Sequence, residues 1–193
     1  MKKIGLTGGI GSGKSFVANV IEIMGIPVYD SDRHAKYLMQ NDRYLREKLV
    51  IEFGSLIYTD DSLNRQYLSS LVFSKPDRLN TLNQLVHPAV KTDFLIWADK
   101  KRSPLVFLES AILFESEFSL LMDKIVVVTA PLELRIDRII QRDGMTKEAG
   151  MQRLKNQWSD EKKISMADYV IENDDKHSII EQVTKIIDEL SLE

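Results

Sequence analysis

The chain has no cysteine among its 193 residues. That excludes disulfides, thiolate metal sites and a cysteine nucleophile together. It also lacks any uninterrupted apolar stretch approaching the ~18 residues of a membrane span. Met1-Lys2-Lys3 has the basic start of a signal peptide, but a glycine-rich loop follows within a few residues and leaves no apolar targeting core. Excess charge of one sign is missing as well. The 26 Lys and Arg against 29 Asp and Glu leave a net charge of −3, so no global basic field favours nucleic acid. Neither an internal repeat nor a low-complexity tract is present. The expectation is a soluble cytoplasmic protein, monomeric or a weak homo-oligomer, with neither nucleic-acid nor membrane partners. Its length suits one core with an inserted subdomain.

What is present begins with Gly8-Gly9-Ile10-Gly11-Ser12-Gly13-Lys14-Ser15, a complete G-x-x-x-x-G-K-S loop. Lys3 to Thr7 before it reads as a buried strand. Phe16 to Met24 after it is apolar at helical spacing and closed by Gly25. Strand, glycine loop and helix form the context in which this motif wraps a polyphosphate. Backbone N–H groups at the helix start supply hydrogen bonds and positive dipole. Lys14 is placed to reach the β- and γ-phosphates and the Ser15 hydroxyl to sit on Mg²⁺. The motif therefore predicts nucleoside triphosphate binding.

Strand and helix patterns alternate at both ends of the chain but not in the middle. Ile26 to Tyr29, Leu105 to Glu109, Lys124 to Thr129 and Tyr169 to Ile171 read as short buried strands, giving five with the first. Helices are expected over Leu132–Arg142, Lys147–Trp158 and His177–Leu190. Short apolar strands joined by helical crossovers predict an α/β fold with a parallel five-stranded sheet flanked by helices. Residues 32–101 carry mostly helical signals. Tyr37, Leu38, Leu45, Leu49 and Phe53 are helically spaced up to Gly54. Asn64–Phe73 and Asp77–Val86 read as further helices, with another starting at Pro88. This block is the candidate acceptor subdomain. Ligands of such sheets bind beyond the carboxyl ends of the strands, where Gly8, Asp30, Glu109, Thr129 and Asn173 fall.

Phosphoryl transfer to a hydroxyl needs an acceptor-side carboxylate, a magnesium site and cations on the moving group. Asp30 and Asp32 follow strand two and supply either that carboxylate pair or helix caps; spacing leaves both readings open. Glu109 ends the central strand as a water-mediated magnesium ligand or a solvent-facing charge. Arg135, Arg138 and Arg142 share one helix face, either a solvated row or a lid bringing cations to the phosphate. Arg153, Gln157, Lys162 and Lys163 extend that lid. His87 before Pro88 reads as a turn residue, and Trp97 and Trp158 as packing.

The ordered set of motifs resembles the dephospho-coenzyme A kinase family over nearly the whole chain. Ile4 to Ser15 is similar to that family's opening, and Asp30-Ser31-Asp32 to its Asp-Ala-Asp motif. Leu63-Asn64-Arg65, Leu68, Val86-His87-Pro88 and Ile112-Leu113-Phe114-Glu115 follow in the family's order. So do Ala130-Pro131, Arg138, Arg142-Asp143-Gly144, Gln157, Lys163, Ala167-Asp168 and Asn173. Two residues depart: Ala111 stands where the family usually has proline, and Glu109 where it often has aspartate. Arg135 has no firm counterpart and stays outside the candidate site.

The resemblance implies a P-loop kinase fold with a core (1–31, 102–137, 167–193), a helical dephospho-CoA-binding subdomain (32–101) and a lid (138–166). It implies ATP-dependent phosphorylation of the ribose 3′-hydroxyl of dephospho-CoA, the last step of coenzyme A biosynthesis. On it, Asp32, Lys14, Arg138 and Arg142 are catalytic. Gly9, Ile10, Gly11, Ser12, Gly13, Lys14, Ser15, Arg142 and Asn173 hold ATP. Asp30, Asp32, Arg65 and His87 bind the acceptor, and Ser15 holds Mg²⁺, with Asp30 and Glu109 acting through water. The nearest alternative is another P-loop kinase acting on a nucleoside or nucleotide, but no Asp-Arg-Ser-type base-recognition signature follows a third strand. A switch GTPase would need an Asn-Lys-x-Asp motif, which the chain lacks. An assembly protein with no acceptor would leave the acids after strand two unexplained.

Overall fold

The structure is a computed structural model. It describes residues 1–72, 75–144, 146–155 and 157–192, with the side chains of Arg153 and Lys155 outside the described set. The expected helix end at Phe73 and the lid role of Arg153 thus lie outside the described residues. In chain order the elements begin β1 (Lys2–Thr7), α1 (Lys14–Ile23), β2 (Val28–Asp30), α2 (Ser31–Asn41) and α3 (Arg43–Phe53). Next come β3 (Tyr58–Thr59), β4 (Ser62–Leu63), α4 (Arg65–Val72), α5 (Pro76–Asp99) and β5 (Leu105–Glu109). The chain ends with β6 (Lys124–Thr129), α6 (Leu132–Asp143), α7 (Lys147–Lys155), α8 (Asp160–Ile164), β7 (Tyr169–Glu172) and α9 (Ile179–Leu192). Two units separate, one of residues 1–29 and 101–193, the other of residues 30–100.

The first unit is organised by the five-stranded parallel sheet, ordered β2-β5-β1-β6-β7. β1 sits at its centre, with Ile4 opposite Phe107 on one side and Leu6 opposite Val126 on the other. Every residue of β5 is buried, the pattern of a strand covered on both faces. On one face Ile4, Leu6, Phe107, Val126 and Val128 form a cluster with Val17 and Ile21 of α1 and Val183, Ile186 and Leu190 of α9. Each such side chain contributes about 1.5–3 kcal/mol on burial. On the other face a Cβ at Gly5 would lie 2.7 Å from Leu113, so the chain after β5 packs directly on the central strand. Burying the centre of the sheet fixes the carboxyl end of β1, and with it the start of the glycine loop.

The second unit is helical apart from a small hairpin. Asp30 caps α2, its Oδ1 accepting the Arg33 N–H at 2.9 Å, and Asp42 caps α3 through the Leu45 N–H at 2.7 Å. Gly54, at φ 87°, closes α3. The sequence shows no strand signal between α3 and α4, yet β3 and β4 pair there around Asp60 and Asp61, both at positive φ. Arg46 forms an ion pair with Asp61 and the Gln40 amide donates to the Asp61 carbonyl at 2.8 Å. Tertiary bonds therefore hold a turn that lacks the usual glycine.

A second expectation fails at Pro88, which lies inside the single helix α5 rather than starting a new one. An interior proline removes a ladder bond and costs ~3 kcal/mol or more. Here Val86, Val90, Phe94 and Ala98 continue one buried stripe across it, and α5 packs on α2, α3 and α4. That packing overrides the local break. Among the described residues, no helix is long and apolar enough to cross a membrane.

Candidate active site

Between Thr7 and Lys14 the chain must turn sharply without side-chain bulk. Gly11 and Gly13 take φ of 79° and 86°, a region that L-residues seldom adopt. Space is as restrictive as conformation: a Cβ on Gly13 would lie 1.9 Å from the Asn173 amide. Asn173 follows β7 and is held in place twice. Its N–H donates to the Thr129 carbonyl at 2.8 Å, and its side-chain amide donates to the Ser12 carbonyl at 2.8 Å. The last strand thereby buttresses the loop entrance of α1.

At the first turn of α1, Lys14 Nζ lies 2.5 Å and Ser15 Oγ 2.7 Å from the same oxygen, Oε1 of Glu109. Parallel pairing of β1 with β5 places Glu109 opposite Leu6, which brings the end of β5 beside the loop. Glu109 is buried, so the solvent-facing alternative for it is excluded. Its side chain spans to the start of α1. Hydroxyl and carboxylate oxygens this close form a hard donor set suited to Mg²⁺, which takes few protein ligands and completes its shell with water and phosphate.

The arginine row of α6 is graded along the helix. Arg135 is buried; its Nε donates to the Ile10 carbonyl at 3.0 Å and its Nη1 pairs with Asp160. Arg138 donates to the carbonyls of Gly11 and Asn173 at 3.4 and 3.3 Å and pairs with Asp175 at 2.9 Å. Arg142 is turned to its neighbour Asp143, with bonds of 2.8 and 2.9 Å, and its side chain is mostly exposed. The carboxylate beside it pushes its pKa further up. Thus the structure brings Gly9 to Ser15, Glu109, Arg138 and Asn173 together, and it does not bring Arg142 to them.

Sequence reasoning passed over Arg135 and Asp160. Their signal was weak: Arg135 lies three residues before Arg138 on the same face, and Asp160 opens a short helix after Ser159. The Ile10 N–H donates to Gln157 at 2.9 Å, so that residue also touches the loop. Around these groups lies a cleft of about 490 Å³ lined by Thr129, Leu132, Arg135, Gln157, Trp158 and Asp160. Behind it Lys163 is fully buried, donating to the Ala111 carbonyl at 2.9 Å with Glu115 3.4 Å away. Burial pulls its pKa down, opposed by Glu115. Glu115 also accepts the Trp158 N–H at 3.1 Å, and Trp158 stacks on Phe114.

The remaining candidates belong to the helical unit. Asp30 is the α2 cap, while Asp32 lies exposed in the first turn of that helix. Arg65 opens α4 and is exposed. His87 lies half-buried in mid-helix rather than in a turn. Burial, with Lys91 nearby, pulls its pKa below the ordinary histidine value. The cap reading accounts for Asp30 and leaves Asp32 to be explained.

A family model described as dephospho-CoA kinase matches residues 2–178. The dephospho-CoA kinase of Bacteroides fragilis is 41% identical over 186 residues, covering 96% of this chain and 91% of its own. A crystal structure of a Thermus thermophilus protein superposes with a TM-score of 0.87 at 35% identity, covering 97% of this chain and 96% of that one. The structure of the Campylobacter jejuni dephospho-CoA kinase gives 0.71 at 27% identity, covering 98% and 97%.

Proposed function

Because the chain belongs to the dephospho-CoA kinase family, we propose that it transfers the γ-phosphoryl group of ATP to the ribose 3′-hydroxyl of dephospho-CoA. The hydroxyl oxygen bonds the γ-phosphorus as the bond to the β–γ bridging oxygen breaks. ADP leaves, and the hydroxyl proton passes to the Asp32 carboxylate. The observation that carries this reading is the Lys14–Ser15–Glu109 cluster at the mouth of a glycine loop. On binding, the nucleotide phosphates replace Glu109 as the partner of Lys14, which then bears on the charge moving to the β–γ bridge. Arg138 supplies a second cation from α6. Ser15, with Glu109 and Asp30 through water, would hold Mg²⁺, which screens the phosphate charge when bound.

Residues 32–101 serve in this reading as the acceptor subdomain, with Arg65 and His87 contacting dephospho-CoA. Residues 138–166 serve as the lid, and closure carries Arg142 from Asp143 to the phosphates. Asn173 borders the adenine site. The test is product analysis with purified protein, MgATP and dephospho-CoA. One coenzyme A should form for each ADP released, with the new phosphate on the 3′ position by ³¹P NMR. ADP release without coenzyme A would overturn the assignment.

A further inference from the structure

The peptide of Ile10, at the outer bend of the phosphate loop, has both its polar groups taken by side chains from outside the loop. Gln157 accepts its N–H at 2.9 Å and Arg135 Nε donates to its carbonyl at 3.0 Å. Arg135 also fills the space that the loop glycines leave. A Cβ on Gly9 would lie 2.1 Å from Arg135 Nη2, and one on Gly11 would lie 2.6 Å from the Arg135 carbonyl. The loop therefore packs on the Arg135 guanidinium at Gly9 and on the backbone of the same residue at Gly11. Asp160 pairs with Arg135 Nη1, and Thr129 Oγ1 lies 3.5 Å from the same carboxylate. The two side chains are only 9% and 17% exposed, which strengthens a charge-assisted contact relative to one in water.

We infer that Arg135, oriented by Asp160, is a positioning residue for ATP: it fixes the bend of the phosphate loop before the nucleotide arrives. The inference rests on the phosphate loop binding ATP but not on the identity of the acceptor. Two fixed directions are needed at once, Nε to Ile10 and Nη1 to Asp160, and the planar guanidinium offers both. A lysine at this position keeps the charge and can keep the ion pair, but a single ammonium cannot serve both acceptors in that geometry. Asp160 belongs to α8, so the pair also ties α8 to the loop.

The experiment compares wild type with Arg135→Lys, Asp160→Asn and the double variant in the full chain. Calorimetric titration with a non-hydrolysable ATP analogue gives nucleotide affinity without any acceptor. Steady-state kinetics give KM for MgATP and for dephospho-CoA separately, and thermal unfolding monitors the fold. Arg135→Lys should weaken analogue binding about tenfold, the size of one charge-assisted hydrogen bond. The MgATP KM should rise in step, while the dephospho-CoA KM moves less than about twofold and the unfolding midpoint stays near wild type. Asp160→Asn should act in the same direction, with a lower unfolding midpoint because it leaves Arg135 without its charge partner. The double variant should bind the analogue little worse than Arg135→Lys alone because both act through the bond from Arg135 to Ile10. Analogue binding within about twofold of wild type in both single variants would overturn the inference. So would strictly additive losses, or losses that track unfolding alone. If wild type binds the analogue but does not phosphorylate dephospho-CoA, the acceptor assignment fails and the Arg135 inference is judged on the titrations.

Discussion

Replacing Glu109 with Gln separates the two roles that its carboxylate plays. Oε1 neutralises Lys14 at 2.5 Å and accepts from Ser15 at 2.7 Å. The side chains of Lys14 and Glu109 are 12% and 9% exposed. Removing one charge of a buried pair costs ~3–5 kcal/mol. Lys14 has a flexible stem and some access to water, so the lower end applies, about 3 kcal/mol. For a chain of this size that lowers the unfolding midpoint by roughly 6–12 °C. ADP without metal should then bind the variant at least as tightly as wild type, because Lys14 no longer has to leave a carboxylate to meet a phosphate. With Mg²⁺ present the order should reverse if, as proposed, the Glu109 carboxylate supports the ion beside Ser15. Differential scanning calorimetry and titration of ADP with and without Mg²⁺ read all three quantities. An unchanged midpoint, or weaker metal-free ADP binding, would refute the reasoning.

Other consequences are as direct. Lys14→Ala should lower the single-turnover rate more than it weakens ATP binding, and an unchanged rate would remove Lys14 from the chemistry. Asp32→Asn should leave folding and ATP binding intact and reduce kcat by ~10²–10⁴-fold; a loss below about tenfold would leave Asp32 only a helix-start residue. Gly13→Ala should abolish nucleotide binding, because its Cβ would sit 1.9 Å from Asn173 at φ 86°, and normal affinity in a titration would contradict the loop geometry. The pKa of His87 is lowered in the folded chain, so the unfolded state binds the proton more strongly. Stability should fall as pH drops below about 6.5 towards the folded value and should be unaffected above it. His87→Gln should flatten that part of the melting-temperature profile.

The parts of the fold legible in sequence were those whose signal is local. β5 reads as a buried strand because all five residues are apolar or terminal, and the glycine loop is self-contained. Pro88 is a local breaker, and only the buried stripe from Val86 to Ala98 that continues through it carries the helix across. The β3–β4 hairpin was missed because Asp60 and Asp61 are held at positive φ by the distant Arg46 and Gln40 rather than by glycine.

Within the site, Lys14 and Ser15 followed from the motif, whereas two readings of Glu109 survived until strand pairing placed it beside both. Arg135 illustrates the limit most clearly. Spacing made it equivalent to Arg138 and Arg142, but burial and the approach of Gly9 and Gly11 distinguish it. Those are properties of the folded neighbourhood, which helical periodicity along α6 does not encode.

The central claim is that this phosphate loop serves an acceptor as large as dephospho-CoA. It is tested by kcat/KM for dephospho-CoA, AMP and adenosine at one fixed MgATP concentration. Binding energy from the pantetheine and adenosine portions can orient the 3′-hydroxyl. Dephospho-CoA should therefore exceed both smaller acceptors by at least about a hundredfold, or ~2.7 kcal/mol. AMP or adenosine turning over as efficiently as dephospho-CoA would contradict the account.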